Sequence, residues 1–378
     1  MSQHPRLRSR IALLTVAGLF AVCGSVAAAG SPATAQPANA QVTGLPIIHV
    51  RKHPDALPVV VVVAQDNTVL SDFVVPYGVL AQSGAAKVIA LNMTDHPLKA
   101  GPLMLLPDMT VAAFDKAYPD GADYVIVPAT ANKHAEETAW LRTQRAHGAA
   151  LVSICDGVEL LAEIGALDGR HATGHWASLR DRRKQYPQVT WLTNLRYVAD
   201  GDVASSAGVS AALPISLALV ETIAGPQAAR ATADRLGVTS WEAAHDSDMF
   251  KVLPTDEATH RANMRVKRED VVALQVRDGD DEVALSLHAE AWSRTMRNEV
   301  RLVSDTAGPV RLRGDLRVQA QATSSSTPDV RIVVAEAAPA GTALPAAFDL
   351  IAQRYGSGTA RLSALGMEYP WGDLKAAP

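Results

Sequence analysis

The 378-residue chain is 48% hydrophobic and 20% charged, which supplies apolar material for a large buried core and argues against a disordered chain. Its net charge is −4, and it grows more acidic without the first 40 residues, which carry Arg6, Arg8 and Arg10 and no acid. That sign argues against a general nucleic-acid surface, and the length leaves room for two domains.

The three arginines precede an apolar run from Ile11 to Ala29 and then small residues that include Ala33-Thr34-Ala35 and Ala38-Asn39-Ala40. This pattern predicts a secretory signal peptide over 1–40 and hence a periplasmic or secreted protein. The apolar run is also long enough to span a bilayer uncleaved, so an N-terminal membrane anchor is the alternative. Val22 stands where a small residue would precede a lipid-modified Cys23, which argues against lipidation. With Cys23 removed, Cys155 is the one remaining thiol and no intramolecular disulfide can form.

Residues 41–57 read as a linker. From Pro58 the chain alternates strand-like and helix-like stretches: the β-branched run 59–64, a helical stretch 72–83, a strand at 87–92, a strand at 123–128, a helix over 136–147 and a buried strand at 149–154. The order predicts a doubly wound, mostly parallel α/β domain of flavodoxin-like type over 58–228. A helical, more polar connector follows over 229–268, where His245, Asp246 and Asp248 read as a solvated loop. From 269 to 378 the pattern returns: an offset of 212 sets Asp66 against Asp278, Val88 against Val300 and Pro97 against Pro309. This predicts a degenerate, truncated second α/β unit. Asp72 falls opposite Ala284, and a small further shift sets Leu365 of Ser363-Ala-Leu-Gly366 opposite Cys155.

Cys155 stands in Ser153-Ile-Cys-Asp-Gly157, between the buried strand and apolar residues at helical spacing. That places it on a sharp strand-to-helix turn where Gly157 gives room and free backbone N–H groups favour a thiolate. A small buried hydrophobe is the competing reading. Asp72 suits a helix N-cap. His171 and His175, four apart, lack the cysteine or carboxylate spacing of a zinc site, so no metal is expected.

Taken together, Leu70-Ser-Asp-Phe-Val-Val-Pro-Tyr-Gly-Val-Leu80, the Cys155 turn, Ile164 to Trp176 and Tyr197 to Ser210 resemble the ThiJ/PfpI superfamily of class I glutamine amidotransferase-like folds. Within it they resemble the branch of isonitrile hydratases and of the amidase-like domains of AraC-type regulators. The resemblance implies Cys155 as elbow nucleophile and Asp72 as the acid that hydrogen-bonds its sulfur. It also implies backbone amides of Ala129, Thr130 and Asp156 as oxyanion donors, with His175 and Gly208 lining the substrate. Two departures stand out: Asp156 replaces the family's Thr or His, and Pro128-Ala-Thr130 replaces its Pro-Gly-Gly turn. The implied function is a cysteine-dependent hydratase or amidase-like hydrolase acting on a small electrophile without cofactor. A ligand-binding or redox- and electrophile-sensing module of the same fold is the alternative. A homodimer is a further expectation of the resemblance.

Overall fold

Five consecutive valines form the centre of the first sheet. In the computed structural model, which describes residues 51–131, 135–266, 270–322 and 328–374, Val59–Ala64 is β1 and is buried throughout. The predicted signal segment, most of the predicted linker and the boundary at 268–269 lie outside the described residues. Val60 and Val62 face one apolar core while Val59, Val61 and Val63 face another, so β1 is covered on both sides.

After β1 come α1 (Leu70–Ser83), β2 (Lys87–Asn92), the hairpin β3 (Leu98–Ala100) and β4 (Leu103–Leu106), β5 (Met109–Thr110), α2 (Val111–Ala117) and β6 (Tyr124–Val127). Next are α3 (Ala135–Ala146), β7 (Ala150–Ser153), a single turn at Cys155–Gly157 and α4 (Val158–Glu163). Short strands β8 (His171–Ala172) and β9 (Thr190–Trp191) flank α5 (Leu179–Gln185) and pair with each other. The hairpin β10 (Tyr197–Asp200) and β11 (Val203–Ser206) leads into α6 (Ala212–Ala224). The sheet runs β10-β11-β7-β6-β1-β2-β5 and is parallel except at β10–β11. This is the doubly wound, flavodoxin-like architecture.

Two connecting helices, α7 (Pro226–Leu236) and α8 (Pro254–Arg265), precede the second unit. That unit comprises β12 (Asp270–Gln275), α9 (Glu282–Ser293), β13 (Asn298–Ser304), β14 (Gly308–Arg311), β15 (Arg317–Ala322), β16 (Val330–Val333), α10 (Ala340–Tyr355) and α11 (Ser357–Gly366). Its register repeats the first: Leu91 pairs Met109 and Asn92 pairs Thr110, and at the same offset Val303 pairs Gln321 and Ser304 pairs Ala322. The first unit's β3–β4 hairpin leaves its own sheet and extends the second one, ordered β16-β12-β13-β15-β4-β3. Where β4 meets β15, Leu105 pairs Val318 and Leu106 pairs Arg317. Each residue pairs the counterpart of its neighbour, the reciprocity a two-fold axis requires.

Helices α1 and α9 pack across this pseudo-axis. Ser71 Oγ donates to Ser286 O at 3.2 Å, and a Cβ on Gly78 would come within 2.7 Å of Glu282 and Val283. Among the described residues the second unit has no counterpart to β7. Ser363 to Gly366 ends helix α11, so the expected elbow equivalent at Leu365 is a buried helical position instead.

Candidate active site

The strand order β11-β7-β6-β1 sets the carboxyl ends of four parallel strands side by side. Asp72 in the first turn of α1, Ala129 beyond β6, Cys155 beyond β7 and Gly208 beyond β11 therefore converge, although 136 positions separate Asp72 from Gly208 in the sequence. This is the crevice position that open α/β sheets use for ligands.

Cys155 has φ 58°, a left-handed conformation rare outside glycine, and its N–H donates to Ala207 O at 3.1 Å. Gly157 allows the turn to close: a Cβ there would lie 2.1 Å from Val127 O. The thiol is buried, with the residue 6% exposed. Burial pushes its pKa well above the ordinary thiol range, and the charges of Asp72 and Asp156 push the same way. The Asp156 N–H, which hydrogen-bonds the sulfur, and the Arg294 guanidinium pull it back. The thiolate expected from the turn alone is thus not the resting form, because desolvation outweighs a helix of a few residues.

Asp72 is completely buried. Its carboxyl is raised well above the usual range, first by burial and then by the charge of Glu290, while Arg294 and the Ala129 N–H act in the opposite direction. Oδ2 accepts from Ala129 N at 3.3 Å, and Oδ1 has no hydrogen-bond partner. Asp72 and Cys155 are electrostatic neighbours without a direct hydrogen bond. The Ala129 amide, assigned by resemblance to an oxyanion, is engaged with Asp72. Thr130 forms a bridge with Thr68, and its Oγ1 accepts from Gln65 Nε2 at 3.4 Å.

Asp156 brings its own counter-charge. Arg182, buried on α5, donates from one guanidinium nitrogen to Asp156 Oδ1 at 2.7 Å, and Ser178 Oγ donates to Oδ2 at 2.6 Å. The other terminal nitrogen of Arg182 donates to His175 O at 2.8 Å, and the guanidinium stacks 5.2 Å from the Trp191 ring centre. His175 is buried, and desolvation lowers its pKa, which keeps the imidazole neutral. Its Nδ1 accepts from Ala177 N at 3.3 Å, so the ring proton belongs on Nε2, a buried donor with no partner.

His171 faces outward and pairs with Asp200 at 3.0 Å, away from this cluster. Among the described residues no group of three or more His, Cys, Asp or Glu side chains could hold a metal ion.

Sequence reasoning missed three residues, all from the second unit. Glu290 on α9 accepts from Ser71 N at 3.2 Å and from Arg294 Nε at 2.8 Å. Arg294 acts electrostatically on Cys155, Asp72 and His175 together. Glu368 accepts from the N–H groups of Gly208 and Trp176 and from His245 Nε2. His245, read as a solvated loop residue, has a side chain only 6% exposed because of this contact, whereas Asp246 and Asp248 remain exposed. The offset of 212 held a signal for Glu290, which stands opposite Gly78.

A sequence profile described as the DJ-1/PfpI family matches residues 58–222. Among curated proteins, the HTH-type transcriptional regulator CdhR of Pseudomonas aeruginosa is 39% identical over 90 residues, 24% of this chain and 26% of that protein. The HTH-type transcriptional regulator ArgR of the same organism is 34% identical over 91 residues, 24% of this chain and 27% of its own length. The chain thus spans about a quarter of each. Among solved structures, an AraC family transcriptional regulator from Pseudomonas putida matches 47% of this chain and 98% of its own at 21% identity and TM-score 0.43. Drosophila melanogaster DJ-1beta matches 49% of this chain and 100% of its own at 21% identity and TM-score 0.44.

Proposed function

Residues 58–222 are a DJ-1/PfpI family domain, and from that premise we propose that this chain is an exported cysteine-dependent hydratase or amidase-like hydrolase acting on a small electrophile. One observation carries the reading: Cys155 is held in a left-handed turn at a strand's carboxyl end, beside a fully buried Asp72 whose Oδ1 has no partner. A strained nucleophile turn next to an unsatisfied buried acid is the arrangement that proton transfer requires.

In the ionised fraction, Asp72 is a stronger base than an ordinary carboxylate because its pKa is raised. It takes the thiol proton as sulfur attacks a carbon multiply bonded to oxygen or nitrogen. The S–C bond forms while the electron pair goes to the heteroatom of a carbonyl or, in an isonitrile, stays on the attacked carbon, and Asp72 then passes the proton to the atom that holds the pair. In a hydration, water then displaces the thiol, which returns with its proton, and the substrate has gained one water. With an amide, the oxygen pair re-forms the C=O, the proton goes to nitrogen, the C–N bond breaks to free the amine, and water hydrolyses the remaining thioester to the acid and the thiol. The Asp156 N–H and the free His175 Nε2–H are donors for the developing negative charge. The export component rests on the arginine, apolar and alanine-rich order of residues 1–40.

A second reading, binding or sensing of a ligand without turnover, is favoured by the engagement of the Ala129 amide with Asp72 and by the elevated thiol pKa. The relatives named as transcriptional regulators fit that reading as well. Alkylation of the native protein by iodoacetamide, read by mass spectrometry against pH, tests the reactive thiol. The expected rate keeps rising above pH 9, is absent in Cys155→Ser and falls about tenfold at pH 7 in Asp72→Asn. Turnover of isonitriles or small amides by wild type and not by Cys155→Ser establishes the enzyme. A thiol that reacts only after unfolding ends the proposal.

A further inference from the structure

The second unit places a carboxylate inside the first. Glu368 is 0% exposed, and its φ of 54° is one that side-chain-bearing residues rarely adopt. It lies just beyond α11, and its own carbonyl accepts from Ser210 Oγ at 2.6 Å, which fixes the segment against the first unit. Oε2 accepts from Gly208 N at 2.7 Å and from Trp176 N at 3.1 Å, and Oε1 lies 3.0 Å from His245 Nε2. Two backbone donors and an imidazole converging on one point make an anion cradle.

The cradle adjoins the thiol site. A Cβ on Gly208 would meet His175 Cδ2 at 2.6 Å and Glu368 Oε2 at 2.7 Å, so only glycine lets the ring, the carboxylate and the backbone come together. Residue 207, the immediate neighbour, accepts the Cys155 N–H. Arg294 donates to Gly366 O at 3.0 Å, tying the Glu368 segment to a cation that acts on both Cys155 and His175. On its outer side, His245 and Tyr369 line a cleft of about 470 Å³ that also contains Val209 and Ser210.

We propose that Glu368 is a specificity residue: its carboxylate fills, from within the chain, an anion cradle on the segment that accepts the Cys155 N–H, so that the thiol site accepts neutral electrophiles and rejects those that carry a carboxylate. An anionic reactant would need the cradle's donors, which are taken, and would face a second negative charge in a water-poor site. The inference rests on the reading of Cys155 as a reactive thiol, and the test separates the two.

The full chain is alkylated with iodoacetamide and with iodoacetate, which share a leaving group and differ in charge. Wild type is expected to prefer the neutral reagent by about 100-fold beyond the preference of a free thiol. Glu368→Gln, which keeps the shape, is expected to cut that preference at least about tenfold. An unchanged preference in Glu368→Gln overturns the assignment. If iodoacetamide fails to label Cys155 in every variant, the thiol reading falls, and acetate binding then decides the cradle. Saturable stabilisation of Glu368→Ala by acetate, absent in wild type, upholds it; no stabilisation overturns it.

Discussion

The two units share strand register and differ at every position the candidate chemistry requires. Where the first has Asp72 the second has Ala284, and where β7 delivers Cys155 to its turn, the second continues into α10 and α11. Opposite Gly78 of α1 stands Glu290 of α9, which reaches across the pseudo-axis to Ser71 and raises the Asp72 pKa. One copy holds the candidate nucleophile while the other contributes charge to it. The comparison shows how a repeat can lose its own site and still shape its neighbour's: the pseudo-two-fold contact sets α9 beside α1.

The comparison breaks most readily at Gly157. Gly157→Ala would drive a Cβ into Val127 O and is expected to destabilise the chain by about 3 kcal/mol or more in urea denaturation. Tolerance of that change would mean the turn is not as tight as described.

The next effect is in pH and has opposite signs in the two units. In the first, burial raises Glu137 from 4.5 to about 7. The folded state then binds a proton the unfolded chain has lost, so the associated stability is present below pH 4.5 and disappears as pH rises through 7. In the second, burial lowers His288, which stands opposite Pro76, from 6.5 to about 4. There the unfolded chain binds the extra proton, so stability present above pH 6.5 is lost as pH falls through 4. Each arm should amount to roughly 2–3 kcal/mol. Denaturation curves between pH 4 and 8 are expected to lose the alkaline arm in Glu137→Gln and the acid arm in His288→Leu, each leaving the other intact.

The smallest effect is at Gly366, which ends α11 and where an added Cβ would meet first the Arg294 guanidinium, at 3.3 Å. Gly366→Ala is expected to stay within about 1 kcal/mol of wild type by the same measurement. Against Gly157→Ala, it measures the difference between a nucleophile turn and a helix end.

Much of the first unit was legible because its signals are local. Consecutive valines mark a strand buried on both faces, and strand order then brings Asp72, Cys155 and Gly208 together. The electrostatics were not legible. The turn's free amides suggested a thiolate, and Asp156 stood out as a departure from the family's Thr or His. Burial reverses the first expectation and Arg182 resolves the second, yet neither depth nor a partner 26 residues away is written in the local pattern. His245 was misread for the same reason, since its partner Glu368 lies 123 residues further on.

The sequence by itself determined which stretches become strands and helices, that the pattern occurs twice, and where the only cysteine of the first unit stands, because side-chain periodicity and turn chemistry act over a few residues. Only the tertiary structure decided that the two copies pair across a pseudo-axis, that the thiol rests buried and protonated, and that Glu290, Arg294 and Glu368 enter the other copy's site. Charge and desolvation depend on distance in space, and at this site those distances are set by contacts between residues from 26 to 219 positions apart.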